Sequence, residues 1–167
     1  MLRKVSITGD DARTLEWLDA LDEKASAADQ TKVLRLLETT DSAVVRNAAA
    51  LKAADLQIPK TADILIRLAE NPSLMKRNGT LLYTLAQMRA RVPLFLLARV
   101  LREGSYEARQ HALEILSKGR VNASRDQIRF FVMVLNEFAR AENEEQRSVA
   151  EAALAMPFVK RGFANPL

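Results

Sequence analysis

Beyond residue 9, apolar side chains recur three and four positions apart, and short clusters of Thr, Ser, Asn, Asp, Gly and Pro interrupt them at intervals. That period is the signature of amphipathic helices joined by tight turns. A first helix is expected over residues 11–24, with Leu15, Trp17, Leu18 and Leu21 on its apolar face and Thr8-Gly9-Asp10-Asp11 supplying the turn and N-cap. A second follows over residues 28–38, with Val33, Leu34, Leu36 and Leu37 turned inward. β-branched residues nowhere cluster into a run long enough for a strand.

A longer period lies over this one. An arginine returns at Arg46, Arg77, Arg109 and Arg147, spaced by 31, 32 and 38 residues. Each leads a small-residue-rich apolar segment: RNAAALKAADL, RNGTLLYTLAQM, RQHALEILSKG and RSVAEAALAM. Recurrence on a scale of roughly 20–50 residues marks stacked repeats, because one such unit cannot bury its apolar side alone. Each unit reads as an outer helix, a turn, and an inner helix that begins just before the arginine. The outer helices are expected over 31–38, 62–70, 93–102 and 126–140, and the turns are TTDS, ENPS, EGSY and ENEE. Ala48, Ala49, Ala50, Ala53, Gly79, Ala112, Ala150, Ala152 and Ala153 let inner helices approach, while Leu, Ile and Phe on outer helices supply bulk. Phe130, Phe131, Met133 and Phe138 are read as packing of this kind. The predicted fold is therefore all-α, an α-solenoid of about four helix pairs with an atypical N-terminal cap. It comprises an extended arm at residues 1–9, one repeat domain at 10–157, and a C-terminal tail at 158–167.

Composition narrows the function classes. The 167 residues are 49% apolar and 28% charged, an ordinary globular balance. With no Cys, disulfides, thiolate metal sites and a Cys nucleophile are excluded. The N-terminus MLRKVSITGDDAR lacks the apolar run of a secretory signal, and no stretch is apolar enough to span a bilayer. A soluble cytoplasmic protein is the expectation. The formal charge of +4 is mild and interleaved, unlike the dense stripe of a dedicated nucleic-acid binder. The one local concentration, Lys118, Arg120, Arg125 and Arg129 around Asp126, is read as a solvated loop and helix end, with contact to an acidic partner as the other reading.

The segments DSAVVRNAAALKAADLQIPKTADILIRLAENP and KRNGTLLYTL resemble HEAT-type repeats of small bacterial proteins. Asp41 stands in the turn, Val45-Arg46 opens the inner helix, small residues follow, and a loop containing Pro59 leads to the next outer helix. The resemblance covers residues 29–156; Pro72, Ser105 and Glu144 stand near the places equivalent to Asp41. It implies a binding scaffold, acting as a docking surface, a regulator of a partner enzyme or an antidote (immunity protein) to a toxin. Two branches of the family do chemistry, one resembling bilin-attachment lyases and the other a DNA glycosylase.

The residues themselves offer little chemistry. His111, the only histidine, lies one turn before Glu114 with no second His or Cys beside it, so it reads as a packed or surface imidazole. No metal-ligand spacing and no glycine-rich phosphate loop occurs, and neither a cofactor nor a small-molecule substrate is expected. A base-excising enzyme needs an acid flanked by aromatics on a basic wall, whereas Trp17, Tyr83 and Tyr106 are isolated. In stacked pairs the inner helices line a concave face, and the residues after each arginine, Asn47, Asn78, Gln110 and Ser148, are expected to form a polar row along it. Lys52, Tyr83, His111 and Glu114 extend that surface. Mixed polar groups of this kind suit a protein partner with an acidic or mixed-charge surface. Nucleic-acid binding is the alternative reading. The arginines are assigned to repeat architecture, reaching turn carbonyls and covering apolar surface with their stems.

Overall fold

A computed structural model describes residues 8–140, 144–157 and 159–160. Among these are nine α-helices, α1 (Gly9–Ala20), α2 (Ala27–Thr39), α3 (Ala43–Asp55), α4 (Thr61–Glu70), α5 (Gly79–Gln87), α6 (Leu94–Glu103), α7 (Tyr106–Ser117), α8 (Arg125–Phe138) and α9 (Glu144–Leu154). A single 3₁₀ turn spans Pro72–Leu74, and two-residue strands β1 (Val92–Pro93) and β2 (Val121–Asn122) pair in parallel, Val92 with Val121. The chain is thus mostly helical. The strand pair is a departure from expectation: it is a stitch between two loops, too short to leave a β-branched run in the sequence. Among the described residues no helix is long and apolar enough to cross a membrane.

Local chemistry sets the helix starts. Thr8, Ser26 and Ser124 each accept a hydrogen bond from the third helical residue, whose side chain answers to the cap backbone, so α1, α2 and α8 open with capping boxes. Ser42 and Ser105 cap α3 and α7 in the simpler way. The first helix therefore begins at Gly9 and ends at Ala20, two residues earlier and four residues shorter at its end than periodicity suggested. Most of the expected arm, most of the expected tail and part of the last turn lie outside the described residues. Where the tail is described, Val159 is buried and the Lys160 N–H donates to the Met156 carbonyl at 3.1 Å, so the chain remains packed past the end of α9.

The helix ends are more uniform than the starts. After α3, α5 and α7 one residue turns left-handed: Gln57 (φ 50°), Arg89 (φ 57°) and Gly119 (φ 62°). In each case two backbone bonds close back on the helix: Gln57 N–H to Ala54 O and Ile58 N–H to Ala53 O, Arg89 to Ala86 and Ala90 to Leu85, Gly119 to Leu116 and Arg120 to Ile115. This is the Schellman arrangement, which satisfies carbonyls the helix leaves unpaired.

The chain divides into two compact units within α4, between Leu65 and Ile66. In the first, α3 packs against both α1 and α2 around Leu18, Val33, Leu37, Ala49, Ala50 and Ala53. In the second, α5 packs on α7 and α7 on α9 in one layer, α6 packs on α8 in the other, and α6 with α7 and α8 with α9 join the layers. The core there is Leu81, Leu82, Leu85, Leu96, Leu97, Ala112, Ile115 and Leu116, with the small residues on α7 and α9 and the large ones mainly on α5 and α6.

Basic side chains close helix ends. Lys52 Nζ donates to the Leu21 carbonyl at the end of α1 (3.0 Å), Arg99 Nη1 to Glu70 at the end of α4 (3.0 Å), and Arg120 Nη1 to Ala86 in the last turn of α5 (3.0 Å). A cation against the negative end of a helix is favourable. Together with the Val92 N–H, which donates to the Arg120 carbonyl at 3.0 Å, Arg120 ties the loop after α7 to the loop after α5. That tie, with the β1–β2 pair, holds the beginnings of α6 and α8 side by side.

Candidate functional site: an aromatic groove between α6 and α8

The recurring arginines do not occupy one structural position. Arg46, Arg109 and Arg147 are each the fourth residue of their helix, whereas Arg77 lies two residues before α5 begins. Pro72 and the 3₁₀ turn delay that helix, so Leu82 takes the fourth place there. Arg46 and Arg109 are buried and Arg77 and Arg147 exposed. Arg109 Nη2 donates to the Arg102 carbonyl in the last turn of α6 and Arg77 Nη2 to the Ser73 carbonyl in the 3₁₀ turn just before it, each at 3.3 Å.

The polar residues after the arginines separate accordingly. Asn78 is fully buried at the start of α5, its Nδ2 directed to the Ala69 carbonyl at 3.4 Å, and so cannot meet a partner. Asn47 is half-buried on α3, whereas Gln110 on α7 and Ser148 on α9 are exposed. Lys52 is half-buried and committed to the end of α1. The structure does bring together Tyr83, His111 and Glu114. The Tyr83 and His111 rings meet edge-on with centroids 5.3 Å apart, and His111 Nδ1 lies 3.7 Å from Glu114 Oε2. Lys118 pairs with the same carboxylate and, as its nearest donor, holds the Glu114 pKa below the usual carboxylate range against the opposing effect of burial. Glu114 thus lies between the His111 ring and the Lys118 ammonium.

Three of the four cations of the basic stretch 118–129 have partners within the chain. Lys118 pairs with Glu114, Arg120 caps α5, and Arg129 lies 3.6 Å from Asp126. Phosphate affinity needs clustered cations free to give up their counterions, which this distribution does not provide.

The opposite layer carries an apolar groove. A groove of about 480 Å³ runs between α6 and α8. Leu94, Phe95 and Ala98 form its α6 wall, and Phe130, Phe131, Val134 and Phe138 its α8 wall. Arg99, Arg102, Asp126 and Gln127 stand at the rim. Phe131 is 2% exposed and belongs to the core, but Phe95 is 59% exposed and Phe130 63%. Met133, on the adjoining face of α8, is 53% exposed. The reading of all four large residues of α8 as packing thus holds for Phe131 and fails for Phe130 and Met133. Arg99 and Arg102 share Glu103, whose pKa is lowered chiefly by its bond to Arg102 and further by Arg99, so the rim charges are fixed in place. The groove is an apolar trough with a charged margin, suited to burying carbon rather than to moving protons. Compared with protein-family models, with curated proteins and with solved structures, the chain matches none.

Proposed function

We propose that this chain is a non-catalytic protein-binding module, built from HEAT-like helix pairs stacked as an α-solenoid. The observation that carries the reading is the pair of largely exposed phenylalanines, Phe95 and Phe130, side by side over an apolar floor. Single exposed apolar residues are ordinary, but contiguous apolar surface rimmed by charge is typical of protein interaction sites. Partner contact moves accordingly from the predicted polar row to the α6–α8 layer, with Tyr83, Gln110, His111 and Glu114 as a second, polar surface on α5 and α7. A regulator of a partner enzyme, or an antidote to a toxin, is the concrete form that the repeat resemblance supports.

Photo-crosslinking residues placed at Phe95 and at Gln110 test this in the native cell. The expected result is a discrete protein adduct from position 95. No adduct from either position overturns the reading, and adducts from position 110 alone move the site to the polar layer. Filter binding to DNA at low salt is expected to show no retention, because Lys118 is paired with Glu114 and Arg120 with the Ala86 carbonyl, which leaves no dense cation cluster in 118–129.

A further inference from the structure

Asn78-Gly79, at the start of α5, is the only Asn-Gly pair in the chain. In an open chain this is the dipeptide most prone to lose its side-chain amide. The Gly79 nitrogen attacks Asn78 Cγ and gives up its proton, the side-chain nitrogen leaves as ammonia, and a five-membered imide forms. Water then opens the imide at either carbonyl, giving aspartate or its β-linked isomer. Glycine favours ring closure because it has no Cβ beside the attacking nitrogen and its backbone turns freely. We infer that Asn78-Gly79 is a deamidation site that the fold holds closed, and that opening of α5 exposes it to a reaction whose products no longer fit this structure.

The start of the helix is what closes it. The imide needs Asn78 Cβ and the Gly79 nitrogen to eclipse along the bond from Cα to the carbonyl carbon. A ψ of 12° puts the backbone nitrogen of Asn78 there instead and leaves Cβ rotated away. Turning ψ to the ring geometry would swing the Asn78 carbonyl, which accepts from the Leu82 N–H at 3.0 Å in the first turn of α5. The side chain is held as well. Asn78 is fully buried away from water, with Nδ2 directed at the Ala69 carbonyl (3.4 Å) and the Met75 sulfur (3.7 Å). The chemistry therefore waits until the first turn of α5 comes apart.

The products then fail to repack. Aspartate replaces Nδ2 by an oxygen, so two acceptors meet where a donor had faced the Ala69 carbonyl, and the present Oδ1 already has no donor among the described residues. A buried charge without a partner is strongly destabilising. Glu107 brings another carboxylate to the same helix start, its Oε2 2.6 Å from where a Cβ on Gly79 would stand. The β-linked isomer lengthens the backbone by one carbon at the residue whose carbonyl accepts the Leu82 bond. Since α5 packs on α7, a helix that cannot restart here leaves its layer incomplete.

Mass spectrometry of the peptide holding residue 78 tests this on the full chain, incubated at neutral pH in buffer and in urea above the unfolding midpoint. The mass gain of deamidation is expected at least about tenfold faster in urea, because opening limits the reaction in the folded chain. Chain converted in urea should, on dilution, recover with a lower urea midpoint or without a cooperative transition. The same chain held in urea at mildly acidic pH, where the Gly79 nitrogen gives up its proton more slowly, should recover in full. Asn78→Asp should reproduce the loss without any incubation. Equal rates in buffer and in urea would show that the fold does not guard the site and overturn the inference. An unchanged midpoint in both the converted chain and Asn78→Asp overturns it from the other side, by showing that the products fit.

Discussion

The left-handed residues that end α3, α5 and α7 allow a test in which sterics cancel. Gly119 and Gly9 both face open space, with no atom within 4 Å of where a Cβ would stand, yet only Gly119 has positive φ. Gly119→Ala should therefore lose stability through backbone conformation alone. An L-residue in the left-handed region costs roughly 1–2 kcal/mol, and removing a glycine from the unfolded chain returns about 0.4–1 kcal/mol, leaving a net loss of about 1 kcal/mol. Gly9→Ala has no such penalty and should gain about 0.5 kcal/mol. The reverse change at Gln57, an exposed uncharged residue at φ 50°, should stabilise by about 1 kcal/mol as glycine. Arg89→Gly should stabilise less, since a cation near a helix C-terminus is worth about 0.3–1 kcal/mol. Urea midpoints at constant slope measure each change. If Gly119→Ala is neutral and Gln57→Gly destabilises while Gly9→Ala gains as stated, the shared helix ending does not set stability and the account of it is wrong.

Gly104→Ala places a Cβ 2.5 Å from the Val100 carbonyl oxygen, a backbone atom that cannot swing aside. It should cost about 1–3 kcal/mol, read as a lowered urea midpoint. Ser124→Ala removes the capping box of α8 and should cost about 1 kcal/mol, with hydrogen exchange quickening first at the Gln127 amide. Lys118→Met should raise the Glu114 pKa in a carboxyl NMR titration. Because that pKa is depressed in the folded state, the stability from the pair is complete above the unfolded carboxylate value of about 4.3 and is lost as pH falls through the lower folded value. The destabilisation by Lys118→Met should accordingly be present at neutral pH and fade on acidification.

Much of the fold was legible because local chemistry decides it. Thr8 with Asp11, and Ser42 after Thr40 and Asp41, announce helix starts that the structure has. Pro72 marks the turn it occupies. The arginine recurrence was a weaker guide, since it tracks sequence distance from one helix start to the next, and those starts at Ala43, Gly79, Tyr106 and Glu144 are unevenly spaced. The true regularity sits at the other end, where the left-handed residues at 57, 89 and 119 come 32 and 30 residues apart. Only one of them is glycine, so two of the three endings had no residue type to betray them. The same uneven starts explain Asn78: read as the equivalent of Asn47 and Gln110, it instead lies at a helix N-terminus, covered by the core.

The groove was hidden for a different reason. In α8 the apolar residues Ile128, Phe130, Phe131, Val132, Val134, Leu135 and Phe138 form one broad arc opposite Arg125, Arg129, Asn136 and Glu137, so periodicity finds the apolar face without saying which part of it the core covers. Here only Phe131, Val132 and Leu135 are buried, because α6 and α9 cover one side of α8 and nothing among the described residues closes over Phe130. The apolar belt is therefore wider than one packing face requires, and that excess is what the proposed docking surface uses. Phe95 repeats the pattern on α6, where Leu94, Leu96, Leu97, Val100 and Leu101 already complete the buried face. Two neighbouring helices each carrying aromatic surface beyond what their own core uses, on facing sides of one trough, is the coincidence that favours a docking partner over chance exposure.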